Sequence, residues 1–455
     1  MLDELVEPDS MVRVIDAWVA SLDLTKLGFR KALPQRMGTP PYDPADLLRL
    51  YIWGYLAAVR SSRALERECH RNVECMWLLG RLAPDHKTIA DFRRHNAQAL
   101  IAVCAAFVQF ARSQRLIAGT TVAIDGTKIR AVASRKAVQG RRALQAEAKR
   151  NSEEIERYLK LLDSQDAQQA PDVGRDDVRR ALQELEKQKA AIQADLQRLA
   201  TDSATVVHGE EDSRVMRSLN AAPGYNLQTA VETGSHLIVA HHVTNDASDQ
   251  RQLEPMAQQA SEVLAAPCTA IADAGYANGE QIARLDEQGI VSYVAVNRSV
   301  NNQGDGTLYD RSVFTYDEDT DSYRCPAGNL LLRKQLAAKI KAVIYAAKEE
   351  DCTRCPQKPR CTGAQRRFVS RHLYEQALEA NARRVAEQPQ MMALRKQTVE
   401  HPFDFVKNRV FVNARLLLRG LSGAAAESSL AVLAYNIKRV FNMKGGYWMR
   451  AAMQG

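Results

Sequence analysis

The sequence predicts a mixed α/β fold, preceded by an all-helical N-terminal segment and interrupted by two insertions, on three observations. Short β-branched runs alternate with helical stretches between residues 120 and 296. Both ends of the chain carry apolar residues at three- and four-residue spacing. Two stretches break this order, one a leucine seam in a charged segment and the other a set of four cysteines.

The 455 residues suffice for two or three domains, and a hydrophobic share of 45% allows a sizeable core. Lys and Arg number 62 against 54 Asp and Glu, and the resulting charge of +8 favours an anionic partner, most simply nucleic acid. No apolar run reaches the roughly 18 residues of a membrane helix. The N-terminus lacks the basic and apolar regions of a signal peptide. A cytoplasmic location with no membrane partner is expected.

Residues 1–115 read as helical. Asp43 is a helix cap with Pro44 at the first helical position. A second helix over 61–79 carries Leu65, Cys69, Val73, Met76 and Trp77 on one side. A third starts at Asp85 and runs into a basic turn with Arg93 and Arg94, the candidate DNA contacts of this segment. Two short helices with the second one basic fit a helix-turn-helix reader. An ordinary small bundle with a solvated basic face fits equally.

From residue 120 the chain becomes β-branched, and Asp125-Gly126 interrupts the run. Local sequence favours a hairpin turn at this pair, with an acid beside a bulge as the alternative. Residues 137–200 are charged and helical. Leu182, Leu185, Lys189, Ile192, Leu196 and Leu199 step alternately by three and four, the seam of a coiled coil. Leu144, Ala148, Ile155, Leu159 and Leu162 precede it, and a break at 169–174 makes the whole an antiparallel helical hairpin inserted outside the catalytic part.

Strands resume at 224–232, turn at Thr233-Gly234-Ser235 and return over 237–244. His236, His241 and His242 are read as structural, because adjacent strand residues face opposite ways. A helix over 252–264 leads to a short buried strand from Thr269 that ends at Asp273 and a glycine turn. Another helix over 279–288 precedes a strand at 291–296. A loop at 301–306 and an acidic turn at 317–321 come before Cys325, Cys352, Cys355 and Cys361. In a reducing cytosol such a cluster is metal-binding rather than disulfide-bonded, and four thiolates with one C-x-x-C pair can complete a structural Zn²⁺ site. Unligated cysteines are the alternative. Arg354, Lys358, Arg360, Arg366, Arg367 and Arg371 crowd the same segment and suit phosphate contact, or form a solvated basic face. Near the end, a helix over 427–441 carries Leu430, Leu433, Ala434, Ile437 and Phe441 on one side and is expected to lie on the sheet.

Glu400 and Lys407 are seven residues apart, which on an α-helix places a carboxylate and a cation on one wall. Thr398 is expected as the N-cap, with Pro402 in the first turn. Asp125 and Asp273 each end a strand. If those strands are neighbours, the two acids meet at one sheet edge and a following helix brings Glu400 over them. Three bare carboxylates would repel and raise one another's pKa. Two Mg²⁺ ions relieve that, and ions roughly 3.5–4 Å apart can activate a water or a 3′ hydroxyl while stabilising the leaving oxygen of a phosphodiester.

These motifs together resemble the bacterial insertion-sequence transposases of the DDE class, in the group with a Y-x2-R-x3-E-x6-K signature. The resemblance rests on Pro84-Asp85-His86-Lys87-Thr88-Ile89, Phe92-Arg93, Ile124-Asp125-Gly126-Thr127-Lys128 and Tyr225-Asn226-Leu227-Gln228-Thr229-Ala230-Val231. It extends to Ala272-Asp273-Ala274-Gly275-Tyr276, the cysteine cluster and Thr398-Val399-Glu400-His401-Pro402-Phe403. It implies a ribonuclease-H-like catalytic core over residues 116–136, 201–296 and 391–455. Around that core stand the helical, DNA-binding domain at 1–115, the coiled-coil insertion at 137–200 and the Cys-rich insertion at 297–390. It also implies that Asp125, Asp273 and Glu400 bind two Mg²⁺ ions and that Lys407 is the signature lysine. The implied reaction is strand cleavage and transfer at the terminal inverted repeats of the element itself, on double-stranded DNA, by a homodimer or larger assembly.

The signature arginine falls on Lys396 and its tyrosine on Ala393, while Arg395 sits one place off. A lysine offers a point charge where arginine offers a fork. Lys396, Arg395 and Lys407 are the expected contacts to the DNA end. Asp404 stands where the family often has glycine. Two alternatives are a related nuclease without strand transfer and a catalytically silent DNA-binding descendant.

Overall fold

The computed structural model describes residues 2–32, 42–167, 175–201, 205–295 and 308–454, so the break expected at 169–174 and the loop expected at 301–306 lie outside the described residues. The chain opens with helices α1 (Met11–Ala20), α2 (Pro44–Leu56), α3 (Ser62–Arg71), α4 (Val73–Leu78), α5 (His86–His95) and α6 (Ala97–Ser113). The Asp43 side chain accepts from the Ala45 N–H at 2.8 Å, and Pro44 takes the first helical position, as the capping pattern predicts. The helix expected over 61–79 is divided at Asn72. That side chain accepts from Glu74 N and Cys75 N, starting a new helix where the old one ends.

Strand β1 (Thr121–Arg130) follows. Short strands β2 (Val138–Gly140) and β3 (Thr205–Val207) pair at the root of an insertion made of α7 (Arg141–Ala167) and α8 (Arg175–Thr201). The two helices run antiparallel, with Arg141 bonded to the Leu199 carbonyl and Asn151 to that of Leu185. Leu144, Ile192 and Leu199 form the buried seam near the root.

The central sheet takes in β4 (Arg214–Met216), β5 (Ala222–Glu232), β6 (Ile238–Thr244), β7 (Thr269–Ala272) and β8 (Val291–Val294). Its order is β4-β5-β1-β7-β8, with β6 also paired to β5. The pairs β1–β5 and β5–β6 are antiparallel, while β1–β7 and β7–β8 are parallel. Helix α9 (Leu253–Leu264) connects β6 to β7, and α10 (Gly279–Glu287) connects β7 to β8.

No hairpin turn forms at Asp125-Gly126. The register with β5 runs unbroken from Val122↔Glu232 to Arg130↔Gly224, so Asp125 faces Thr229 and Gly126 faces Gln228. Local turn chemistry yields here because both halves of the segment pair with the same partner strand. The β5–β6 hairpin does form, and the Glu232 carboxylate holds its turn by accepting the N–H groups of Gly234 and Ser235 at 2.8 and 2.7 Å. In β6 His241 bonds Ser429 at 2.7 Å, while His242 is exposed.

The second insertion is a sheet of its own, ordered β13-β12-β11-β10-β9. Its strands are β9 (Thr315–Asp317), β10 (Ser322–Arg324), β11 (Leu330–Ala337), β12 (Ala342–Ala347) and β13 (Phe368–His372). Short helices α11 (Glu349–Thr353) and α12 (Lys358–Cys361) lie between β12 and β13, and a separate core of Phe314, Tyr323, Leu331, Val343, Tyr345 and Val369 covers one face. The chain then returns through α13 (Glu375–Glu387) and α14 (Gln390–Phe403) to α15 (Gly420–Lys444) and α16 (Gly446–Gln454). Among the described residues no helix is long and apolar enough to cross a membrane.

A continuous hydrophobic core joins the N-terminal helices, the central sheet and α15. The one-sided helix expected over 427–441 is instead central: Glu427 to Ile437 are all buried, because the sheet lies against one face and α2 and α6 against others. That centre holds a carboxylate. Glu427 Oε2 accepts from Arg60 Nη1 at 3.1 Å and the Tyr55 hydroxyl at 3.3 Å, and lies 3.9 Å from Arg93 Nη1. Its Oε1 accepts the Leu417 N–H at 2.7 Å. Arg93 was expected to contact DNA, but it is only 4% exposed, lies over the Tyr51 ring and donates to the Arg60 carbonyl. Its charge is committed to Glu427 and cannot meet a phosphate. Arg94, exposed and paired with Asp91 at 3.2 Å, keeps its access.

Removing the carboxylate strands two buried guanidinium groups, so Glu427→Ala should destabilise the fold by about 3–5 kcal/mol. Urea unfolding midpoints of the variant and the parent measure this, and a shift below about 1 kcal/mol would mean that the buried arginines are served by other groups.

Candidate active site

Asp125 and Asp273 are brought together by strand register. In the parallel pair of β1 and β7, Ala123 lies beside Ile271, and two further steps on each strand bring the two aspartates alongside. Asp273 begins a tight turn, its Oδ1 accepting the Gly275 N–H at 2.8 Å. Asp125 Oδ1 accepts the Gly126 N–H at 2.7 Å. Their outer oxygens share one donor: Arg395 Nη2 bonds Asp125 Oδ2 at 2.6 Å and Asp273 Oδ2 at 3.2 Å. Burial pushes the Asp125 carboxyl up to about 6, opposed by the Arg395 guanidinium and the Gly126 N–H and reinforced by Asp273 and Asp249.

Arg395 reaches the pair because α14 lies on the sheet. Val399 packs with Ala123, Ile271 and Tyr293, while Thr398 and Pro402 are buried on the same helix. Thr398 is not the expected N-cap. It sits inside α14, with its hydroxyl donating back to the Leu394 carbonyl at 2.8 Å. Pro402 stands near the C-terminal end of α14 rather than in its first turn. It has no N–H to donate to the carbonyl of Thr398, four residues earlier.

Glu400 is exposed on α14, five positions and therefore about 140° round the helix from Arg395. Lys396 is exposed one turn before it. After Phe403 the chain widens into a π-helical turn, Asp404–Val410, and carries the exposed Lys407 there. That turn breaks the uniform α-helical spacing behind the expected wall shared by Glu400 and Lys407. The fold therefore joins Asp125 to Asp273 and puts Glu400 on the helix of their bridging cation. Among the described residues no group of three or more His, Cys, Asp and Glu side chains stands gathered as a metal holder. The paired oxygens nonetheless lie within the reach of one nitrogen's two bonds, and hard carboxylate donors at such a span suit Mg²⁺.

Sequence reasoning missed a polar network beside Asp125. Asp249, in the loop after β6, accepts at Oδ1 from Lys128 at 2.7 Å, Asn226 at 2.8 Å and Gln228 at 2.7 Å. The Tyr276 hydroxyl donates to Gln228 Oε1. Asn226 and Gln228, two places apart in β5 and both fully buried, were the readable sign of a shared site on one strand face. A Cβ at Gly126 would stand 2.2 Å from Gln228 Nε2 and 2.9 Å from Asp249 Oδ1, so only glycine leaves this network its room.

Cys325, Cys352, Cys355 and Cys361 line one small cavity in the second insertion, with Thr362 and Arg367 beside them. All four are free thiols. Burial pushes the Cys361 thiol up, with the other three cysteines adding to it and Arg367 opposing. The four thiols share this cavity but, among the described residues, are not gathered closely enough to form a metal holder.

Comparison with known families gives two matches. Residues 1–95 match a transposase domain (DUF772), and residues 194–437 match a transposase DDE domain. No curated protein and no solved structure matches the chain.

Proposed function

Since this chain belongs to the DDE transposases, we propose that it cuts DNA at the terminal inverted repeats of its own element and joins the ends to a target. The observation that carries the proposal is the meeting of Asp125 and Asp273, from neighbouring central strands, on one donor. The sheet order supports a ribonuclease-H-like core, with antiparallel β6-β5-β1 continued by parallel β7 and β8.

Asp125 and Asp273 are the residues that would hold Mg²⁺, with Glu400 the third carboxylate that the family resemblance implies; the ion would lower the pKa of an attacking water or 3′ hydroxyl and stabilise the leaving oxygen. The β1–β7 register sets the two aspartates against each other and leaves their outer oxygens for a cation. Lys128, Asn226 and Gln228 fix Asp249 beside them, so that this fourth acid stays ordered and partly neutralised. Lys396 and Lys407, both exposed around Glu400, suit the phosphates of the DNA end.

The grip on DNA we place mainly in the second insertion. Residues 330–372 hold eleven Lys and Arg against three Asp and Glu, an excess equal to the +8 of the entire chain. Everything outside that segment is therefore neutral in sum. On the open face of its sheet Phe368 is 37% exposed, with Lys334 Nζ 4.9 Å and Arg366 Cζ 5.5 Å from its ring. Such cations beside an exposed ring suit the sugar-phosphate surface of a duplex. The four cysteines at the base of the segment are proposed to hold a structural Zn²⁺.

Four measurements test this. Asp125→Asn should abolish Mg²⁺-dependent cleavage of repeat-end DNA and leave folding and DNA binding in place, and retained cleavage would reject its role. In the same assay a pre-nicked end incubated with target DNA should give joined product, whereas cutting without joining identifies a nuclease. Replacing Lys334 and Arg366 together with alanine should lower the slope of log affinity against log salt by about 2. An unchanged slope would locate the grip elsewhere. Elemental analysis of the purified chain should find one zinc per chain, lost on substitution of Cys355 by serine, and a zinc-free, fully folded protein refutes the tetrathiolate.

A further inference from the structure

We propose that Arg395 is the internal counter-cation of the aspartate pair: it holds Asp125 and Asp273 together while no metal is bound, and a divalent cation must displace it. The inference rests on the reading of that pair as a cation site. Two carboxylates this close, one of them largely buried, repel each other unless positive charge lies between them. Here that charge is a side chain of the same protein, only 13% exposed and bonded to one oxygen of each aspartate.

The geometry of the bond argues that it is made to be released. A guanidinium that clamps a carboxylate permanently uses two parallel N–H groups in a fork. Arg395 instead approaches end-on, giving both aspartates the single nitrogen Nη2, while its buried Nε has no hydrogen-bond partner. One nitrogen serving two acceptors gives less geometric hold than a fork, and the unpartnered Nε lowers the cost of leaving. The helix need not unfold for this, because α14 is anchored by Val399 on the sheet and by the Thr398 hydroxyl within its own turn. The long arginine side chain can swing while the backbone stays.

Metal and guanidinium cannot share the site. Arg395 occupies Asp125 Oδ2 and Asp273 Oδ2, and a divalent cation held by this pair would meet its positive charge there, so each would exclude the other by contact and by charge. The apparent metal affinity is then the intrinsic one reduced by the fraction of molecules in which Arg395 has withdrawn. The displacement of the family's arginine by one place acquires a role in this view. Lys396 stands at the signature position, and the residue before it has turned inward.

The test is Mn²⁺ binding to the intact chain, measured by calorimetry on the parent, Arg395→Gln and Arg395→Lys. Arg395→Gln should bind Mn²⁺ about tenfold more tightly, the scale set by losing one charge-assisted contact. Without metal the same variant should unfold at a lower temperature than the parent, and Arg395→Lys, which keeps the charge, should stay near the parent in both. Equal or weaker Mn²⁺ binding by Arg395→Gln overturns the proposal, since a merely supporting arginine would leave affinity unchanged or diminished by its removal. If neither protein binds Mn²⁺, the cation-site reading fails and this inference with it; if both bind equally, only this inference fails. Should Arg395→Gln not fold, the Nε–H resonance of Arg395 in the parent decides. Saturation with Mg²⁺ should shift it, and an unmoved resonance in the metal-bound protein overturns the displacement.

Discussion

Like charge pressed together on two neighbouring central strands is the constraint around which the molecule is arranged. Asp125 belongs to a strand paired on both sides, and the parallel register with β7 leaves Asp273 no place but beside it. Such proximity is costly in a partly buried setting unless cations answer it. Arg395 answers from α14, and Lys128 answers for the adjacent Asp249. The packing of α14 on Ala123, Ile271 and Tyr293 is therefore an electrostatic requirement as much as a hydrophobic one. It delivers the positive charge that allows the acids to be neighbours.

A second buried charge does structural rather than chemical work. Glu427 lies at the centre of α15, where an unpaired carboxylate would be intolerable, and Arg60, Arg93 and Tyr55 come to it from the N-terminal helices. The consequence is that the helical N-terminal region is welded to the central sheet by a shared core and a shared ionic knot. Basic residues of that region are partly spent in the weld. The formal surplus of charge resides in the second insertion, whose sheet has its own core and an open face. Buried, paired charges and uncompensated ones are thus carried by different parts of one chain.

Much of this was legible in short-range pattern. The Asp43 cap, the β5–β6 hairpin and the helical pair of the first insertion all follow from spacings within one element or between adjacent ones. What failed was of another kind. Asp125-Gly126 looks like a turn because turn propensity is local, yet a distant strand claims both halves of the segment. Thr398 resembles a cap until the helix is seen to start eight residues earlier, at Gln390. The last long helix shows one apolar face, but packing surrounds it with the sheet on one side and two helices on others.

The sequence by itself determined the class of the fold, the strand end at Asp273, and the separation of a basic, cysteine-bearing insertion from an electrically balanced remainder, whereas Asp125, expected to end its strand, lies in the middle of β1. Only the tertiary structure decided that Arg395 turns inward to those acids, that Arg93 is consumed by Glu427, and that Asp249 joins the site from a loop with no motif of its own. Periodicity and capping act over a few residues and can be read along the chain. The partner of a buried charge is chosen by proximity in space, and it is set by whichever distant groups the fold leaves within reach once the apolar surfaces have closed.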